Sequence, residues 1–163
     1  MTTQGKKFAV FTIGRDTFGI EIDRVIEILH TKRVYTLPEL PEFLSGVITV
    51  RGEVIPLLDL RKRFGIHADG GQELTIIVRY DSEKIGLIVE KVQEIVTLLA
   101  GEIIAPPTIF KGLKKKYLTG IGKKDERIII LLNLDFLLSS EEKLMLKESE
   151  EILEEHAKTG DSA

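Results

Sequence analysis

The chain carries one unit twice, and that repeat limits its folds more than any single motif. Phe18-Gly19-Ile20-Glu21-Ile22-Asp23-Arg24-Val25-Ile26-Glu27-Ile28 lies on Ile85-Gly86-Leu87-Ile88-Val89-Glu90-Lys91-Val92-Gln93-Glu94-Ile95 at a constant offset of 67. At an offset of 74, Phe43-Leu44-Ser45-Gly46-Val47 lies on Tyr117-Leu118-Thr119-Gly120-Ile121, and Ile55-Pro56-Leu57-Leu58-Asp59-Leu60 on Ile129-Ile130-Leu131-Leu132-Asn133-Leu134. The offset grows because the second copy holds seven more residues between these blocks. Each copy of about seventy residues has room for about five short strands, the content of a small barrel that rolls up to remove its edges. A unit of that size has a marginal core, so the two are expected to pack through apolar faces that neither covers alone.

Gly46 to Gly65 holds the densest local signal. Val47, Ile48 and Val50, then Val54, Ile55, Leu57, Leu58 and Leu60, form two apolar runs around Arg51-Gly52, a hairpin whose turn needs positive φ at its second position. Pro56 lacks a backbone donor and is expected on a strand edge or at a bulge. Asp59 can cap a short helix over Leu60 to Phe64 that Gly65 stops. The copies differ here: Arg51-Gly52 aligns with Asp125-Glu126, and the second copy has a lysine-rich insertion instead. Hairpin tips tolerate change, and a charge run is ordinarily a solvated face.

Along the rest of the chain, Phe8–Ile13 and Phe18–Ile22 read as a hairpin around Gly14-Arg15-Asp16. Asp23 followed by Val25, Ile26, Ile28 and Leu29 has the spacing of a short capped helix. Val34–Leu37 reads as another strand, Pro38 and Pro41 bracket a loop, and Glu42–Ser45 a single turn. Ile66–Gln72 is the linker candidate. Ser139 and Glu142 stand at capping-box spacing before a helix with a thin stripe of Leu144, Met145, Ile152 and Leu153, frayed from about Lys158. The expected interior is Val10, Ile20, Ile22, Ile48, Val50, Leu58, Ile77, Leu87, Val89, Ile129 and Leu131, with Gly19 and Gly86 marking close backbone approach or a bend.

Chemistry is sparse. Without cysteine, disulfides and thiolate metal sites are excluded, and His30, His67 and His156 are too far apart in sequence for a helical metal pair. No glycine-rich loop precedes a Lys-Ser/Thr pair, and Glu21, Asp23 and Glu27 read as solvent-facing charges rather than an acid–base pair. The expectation is a protein that is not an enzyme and holds neither cofactor nor metal. No run of eighteen apolar residues and no signal-peptide core occur, so a cytoplasmic protein without membrane insertion is expected. The net charge of −3 divides into −5 over residues 139–163 and +2 for the body, too weak for the broad basic surface of a nucleic-acid binder. Only Lys111, Lys114, Lys115, Lys116, Lys123, Lys124 and Arg127, against Asp125 and Glu126, concentrate positive charge. A small-barrel RNA binder using Lys111–Arg127 is the alternative function, and the lone nearby aromatics Phe110 and Tyr117 speak against it.

Gly46-Val47-Ile48-Thr49-Val50-Arg51-Gly52 followed by Val54-Ile55-Pro56-Leu57-Leu58-Asp59-Leu60 resembles the signature of the CheW family, coupling proteins of bacterial chemotaxis, which usually has Asn where Thr49 stands. Phe18–Ile22 and Tyr117-Leu118-Thr119-Gly120 extend the resemblance over most of the chain. It implies a mainly β fold of two SH3-like five-stranded barrels with short helices and a C-terminal helix. The expected limits are one domain over 6–146, made of barrels at 8–70 and 72–138, with the helix and its tail at 139–163. It further implies a non-enzymatic adaptor, monomeric when free, that joins chemoreceptor cytoplasmic tips to the regulatory domain of the histidine kinase CheA at membrane receptor arrays. Receptor-binding positions carried over from the family are Val25, Glu27, Arg51, Gly86 and Ile95; no residue is assigned to the kinase. Because the second copy builds the aligned tip with Asp125, Arg51 is expected to serve binding rather than stability.

Overall fold

The computed structural model describes residues 5–31, 33–36, 38, 40–66, 73–106 and 115–158, with backbone alone at 115 and 150–158. Strands form over the apolar runs: β1 Lys6–Ile13, β2 Asp16–Glu21, β3 Val25–His30, β4 Gly46–Val50, β5 Glu53–Asp59, β6 Leu74–Tyr80, β7 Glu83–Val89, β8 Lys91–Leu98, β9 Ile103–Ile104, β10 Leu118–Lys124 and β11 Arg127–Leu132. Helix α1 spans Leu60–Phe64 and α2 spans Ser140–Lys158. One sheet runs β8-β1-β2-β11-β10-β9 and the other β3-β6-β7-β5-β4. Each curls around an apolar interior, giving two barrels, the first with β9 as a short extra strand.

The two copies exchange strands. Shifting the second sheet by the repeat offsets turns β3-β6-β7-β5-β4 into β8-β1-β2-β11-β10, so the sheets share one order. Each joins the first hairpin of one copy to the later strands of the other. Even single contacts obey the map: Gly19 pairs with Leu131 across parallel β2 and β11, and Gly86 pairs with Leu57 across parallel β7 and β5. The expected boundary between residues 70 and 72 therefore does not separate the sheets. Sequence periodicity marks strands but carries no record of which copy each one pairs with.

Burial on both faces explains the near-continuous apolar runs. Alternate residues of β1 go two ways: Phe8 and Val10 fill one barrel with Val96, Leu98, Ile129 and Leu131, while Ala9, Phe11 and Ile13 face the second sheet. Likewise Ile77 and Ile88 fill the other barrel with Ile48, Val50, Ile55 and Leu57, while Ile76, Val78, Leu87 and Val89 join the shared core. Through that core run the rings of Phe11, Phe18, Phe64 and Tyr117, with successive centroids 5.8, 5.5 and 5.5 Å apart. The expected interior residues are buried except Ile22, which is half-buried at the edge of the shared core. A methyl group on Gly86 would lie 2.6 Å from a Leu57 methyl and 2.9 Å from one of Thr75, so the close approach is real.

Four local expectations change. Asp23–Leu29 is not a helix: Ile22–Arg24 makes one 3-10 turn, and β3 follows, hydrogen-bonded to β6 with a bulge between Val25 and Glu27 that disguises its alternation. Val34–Leu37 is reduced to one bridge, Tyr35 to Val47; Leu37 lies outside the described residues. Pro56 sits in β5, between β4 and β7, rather than at an edge. Val47 opposite it gives its amide and carbonyl to Tyr35, and the parallel ladder to β7 begins only at Leu57, so no donor is missed. On α2, Leu144 and Met145 are exposed, and Leu146 and Ser149 are buried instead. Most of Ile66–Gln72, the side chains of Ile152 and Leu153, and the tail after Lys158 lie outside the described residues.

The caps match the sequence. Asp59 accepts from the Arg61 amide and Gly65 closes α1, while Ser139 and Glu142 cap α2 reciprocally at 3.1 and 2.9 Å. Glu142 also takes both arms of Arg63 at 3.1 and 2.9 Å, tying α2 to α1. Burial opposes the charge on Glu142, but the hydrogen bonds from Arg63 and Ser139 outweigh it and hold its carboxyl below the usual value near 4.5.

A core shared by both sheets should melt in one cooperative transition followed by circular dichroism and by calorimetry. Phe64→Ala should lower stability by about 3–5 kcal/mol without splitting that transition, as expected for a large ring removed from a close-packed interior. A carboxyl held below its unfolded pKa stabilises the fold above that pKa and stops doing so as pH falls through the folded value. Acid melts below about pH 4.5 should therefore be steeper in wild type than in Glu142→Gln.

Candidate functional site: the β4–β5 hairpin tip and β3

Val50 pairs with Glu53, so Arg51 and Gly52 alone turn the chain between β4 and β5. Both have positive φ, 48° and 82°, as in a type I′ turn. Sequence reasoning expects this of Gly52 alone. Arg51 shares it, although a β-carbon is disfavoured there and Asn, Asp or Gly would fit the backbone better. The aligned turn of the second copy, closed by Lys124 and Arg127, has Asp125 and Glu126 at φ 50° and 65°. The same turn thus forms without arginine.

The Arg51 guanidinium forks onto the Glu27 carboxylate of β3, one arm reaching Oε2 at 3.2 Å and the other Oε1. The Arg51 side chain is 74% exposed and that of Glu27 28%. The hydrogen bond and charge of Glu27 raise the pKa of Arg51, keeping it a fixed cation. Glu53, beside it in the turn, pairs with Lys84 of β7 at 3.0 Å. Ile28 and Val34 stand exposed nearby in sequence, and Arg33 lies over the Tyr35 ring at 5.1 Å. The tip thus presents an exposed guanidinium held by a carboxylate of the neighbouring strand.

Of the five residues carried over from the family, the structure joins Glu27 and Arg51. Val25 begins the same strand and packs, half-buried, against the shared core. Gly86 is buried within β7 against Leu57 and Thr75, and its requirement is steric; it is not part of an exposed surface. Ile95 is exposed but lies on β8 in the other sheet, at the repeat position of Ile28. Ile28 itself is exposed on β3. The correspondence also relates Glu27 to Glu94, which receives a hydrogen bond from Arg127 at the second hairpin, while Gln93 accepts from the other arm at 3.0 Å.

Among the described basic side chains of the lysine-rich stretch, Lys116 and Lys123 are exposed and the others are engaged. Lys124 donates to the Thr97 carbonyl at 2.8 Å and lies 3.7 Å from Glu102, Arg127 is committed to β8, and Tyr117 is buried. Phe110, Lys111 and Lys114 lie outside the described residues, as does the side chain of Lys115. No helix among the described residues is long and apolar enough to cross a membrane.

The CheW-like domain matches residues 7–142 of the chain. Chemotaxis protein CheW of Klebsiella aerogenes is 34% identical over 142 residues, spanning 86% of both proteins. A probable chemotaxis protein CheW of Rhizobium etli is 36% identical over 140 residues, 84% of this chain and 90% of that protein. Among solved structures, the scaffolding protein TtCheW of Thermoanaerobacter tengcongensis superposes with a TM-score of 0.77 at 35% identity, covering 85% of this chain and 90% of that one. These similarities give no support to RNA binding.

Arg51→Asn and Arg51→Ala both remove the pair with Glu27, so comparing them isolates the backbone. The Asn variant should melt higher than the Ala variant by about 2 °C, because Asn tolerates the left-handed conformation better.

Proposed function

The chain belongs to the CheW-like domain family, and from that premise we propose that it couples the cytoplasmic tips of chemoreceptors to the regulatory domain of the histidine kinase CheA. The family consists of non-catalytic scaffold proteins of chemotaxis, and this chain is an adaptor of that kind. In this reading it acts in the cytoplasm as a monomer recruited to receptor arrays, and Glu27 and Arg51 meet the receptor.

One observation carries the assignment of Arg51: an arginine occupies a backbone conformation that disfavours it, at a turn the second copy builds from Asp125 and Glu126. Beyond its pair with Glu27, the exposed guanidinium can meet a partner, and that is the role we assign to it. Glu27 holds the guanidinium in one orientation, which lowers the ordering cost of binding, and the planar fork recognises a carboxylate or carbonyl in a way lysine cannot. A partner that covers the pair removes water from it and strengthens each of its hydrogen bonds.

Arg51→Ala should weaken binding of a receptor cytoplasmic fragment about fivefold or more, measured by titration calorimetry, while shifting the melting temperature by no more than about 2 °C. Arg51→Lys should recover only part of the loss. Gly52→Val should act the other way, lowering stability first, since a β-branched residue is strained at φ 82°. An Arg51→Ala protein that melts far below wild type yet binds the receptor normally would show Arg51 to be a structural residue.

A further inference from the structure

We propose that the surface between the two repeat copies is a protein–protein interface in its own right, and that its partner is the complementary half of any copy of this chain. Residues up to 66 and residues from 73 onward recognise each other without the connection between them.

The pairings divide sharply. Inside the first half, the described strand contacts are the hairpins β1–β2 and β4–β5 and the Tyr35–Val47 bridge. Inside the second they are β6–β7, β10–β11 and the short β9–β10 pair. Every other ladder crosses between halves: β1 with β8, β2 with β11, β3 with β6 and β5 with β7. Isolated hairpins are marginal in water, so neither half holds a self-supporting sheet. Among the described strands, β3 pairs with β6 alone and β8 with β1 alone, each from the opposite half.

Side chains repeat the pattern. The Phe64 ring from the first half packs on Tyr117 from the second, and Gly19 lies against Ile129 and Leu131. Arg61 reaches Glu73 at 2.6 Å, Arg63 reaches Glu142, and the Thr31 hydroxyl meets that of Thr75 at 3.0 Å. Both barrel interiors and the shared core draw residues from both halves. This resembles an obligate interface, a core cut in two. The repeat makes it reciprocal: each copy lends its first hairpin and receives the other's. A second molecule carries the same complementary surfaces, so halves can be traded between chains.

The test uses the full chain with a protease site inserted between Gly70 and Gly71, in the stretch the sequence reads as a linker. After cutting, the two pieces should elute together in native buffer with an unchanged circular dichroism spectrum. They should melt in one transition whose midpoint rises with protein concentration, because unfolding is now also dissociation. Cut protein with and without nitrogen-15 label, unfolded together in urea and refolded, should give all four pairings of halves in equal amounts by native mass spectrometry. Pieces that separate in native buffer, or one piece keeping its own concentration-independent transition, would overturn the proposal. If the insertion blocks folding, a site made by substitution within residues 67–72, without change of length, gives the same readouts.

Discussion

Two sheets, each already wrapped around its own interior, bury their outer faces against each other, and the rest of the architecture follows from that shared apolar layer. It requires strands apolar on both sides, which is why Phe8 to Ile13, Leu74 to Val78 and Ile128 to Leu132 read as runs rather than alternations. It also removes the choice between one domain and two. Each barrel interior is small, and the layer between them, with Phe11, Phe18, Phe64 and Tyr117 through it, holds the largest side chains. Helix α1 is short because its work is local: it places Phe64 in that layer and turns Arg61 and Arg63 outward to Glu73 and Glu142.

Against this background the hairpin tips stand out as places where packing asks nothing. The two equivalent tips share one backbone geometry and carry opposite charge, Arg51-Gly52 in one and Asp125-Glu126 in the other. Each nonetheless has an arginine bonded to a glutamate at the same point of the repeat: Arg51 forks onto Glu27, while Arg127, two residues beyond the aligned position, reaches Glu94 with one arm and Gln93 with the other. An arginine–glutamate ion pair is therefore common to both copies. Placing the guanidinium at the apex itself is particular to the first. This separates what the pair does for the fold from what Arg51 adds at the surface.

Much of this was legible in the sequence. The offsets of 67 and 74 gave the two equivalent units, Asp59 and Gly65 bounded α1, and Ser139 with Glu142 opened α2. What escaped were the facts set by partners. Val25, Ile26, Ile28 and Leu29 satisfy helical spacing and a bulged strand equally well, and only the free edge of β6 decides between them. The rotation of α2 is fixed by Arg63 gripping Glu142, which turns Leu146 and the small Ser149 inward and leaves Leu144 outside. Gly86 illustrates a conflict within the sequence reading itself. Its match to Gly19 indicated close packing, whereas the family resemblance placed it at a binding surface, and the neighbouring Leu57 and Thr75 support the packing.

The order of strands along the chain also sets a timetable for synthesis. Strands β3 to β7 occupy one continuous stretch, residues 25–89, so the five-stranded sheet can assemble once that stretch has left the ribosome. The first hairpin has no strand partners outside itself until β8 and β11 appear, the latter ending at Leu132. For most of translation Phe8 and Val10 therefore lack the barrel interior they finally share with Val96, Leu98, Ile129 and Leu131, although Phe11 and Phe18 can already meet the second sheet. A nascent chain of this design leaves one face of its first hairpin uncovered until those strands arrive. Lys6 and Lys7 at its leading edge and Arg15 and Asp16 at its turn are the charges that keep such a hairpin in solution while it waits.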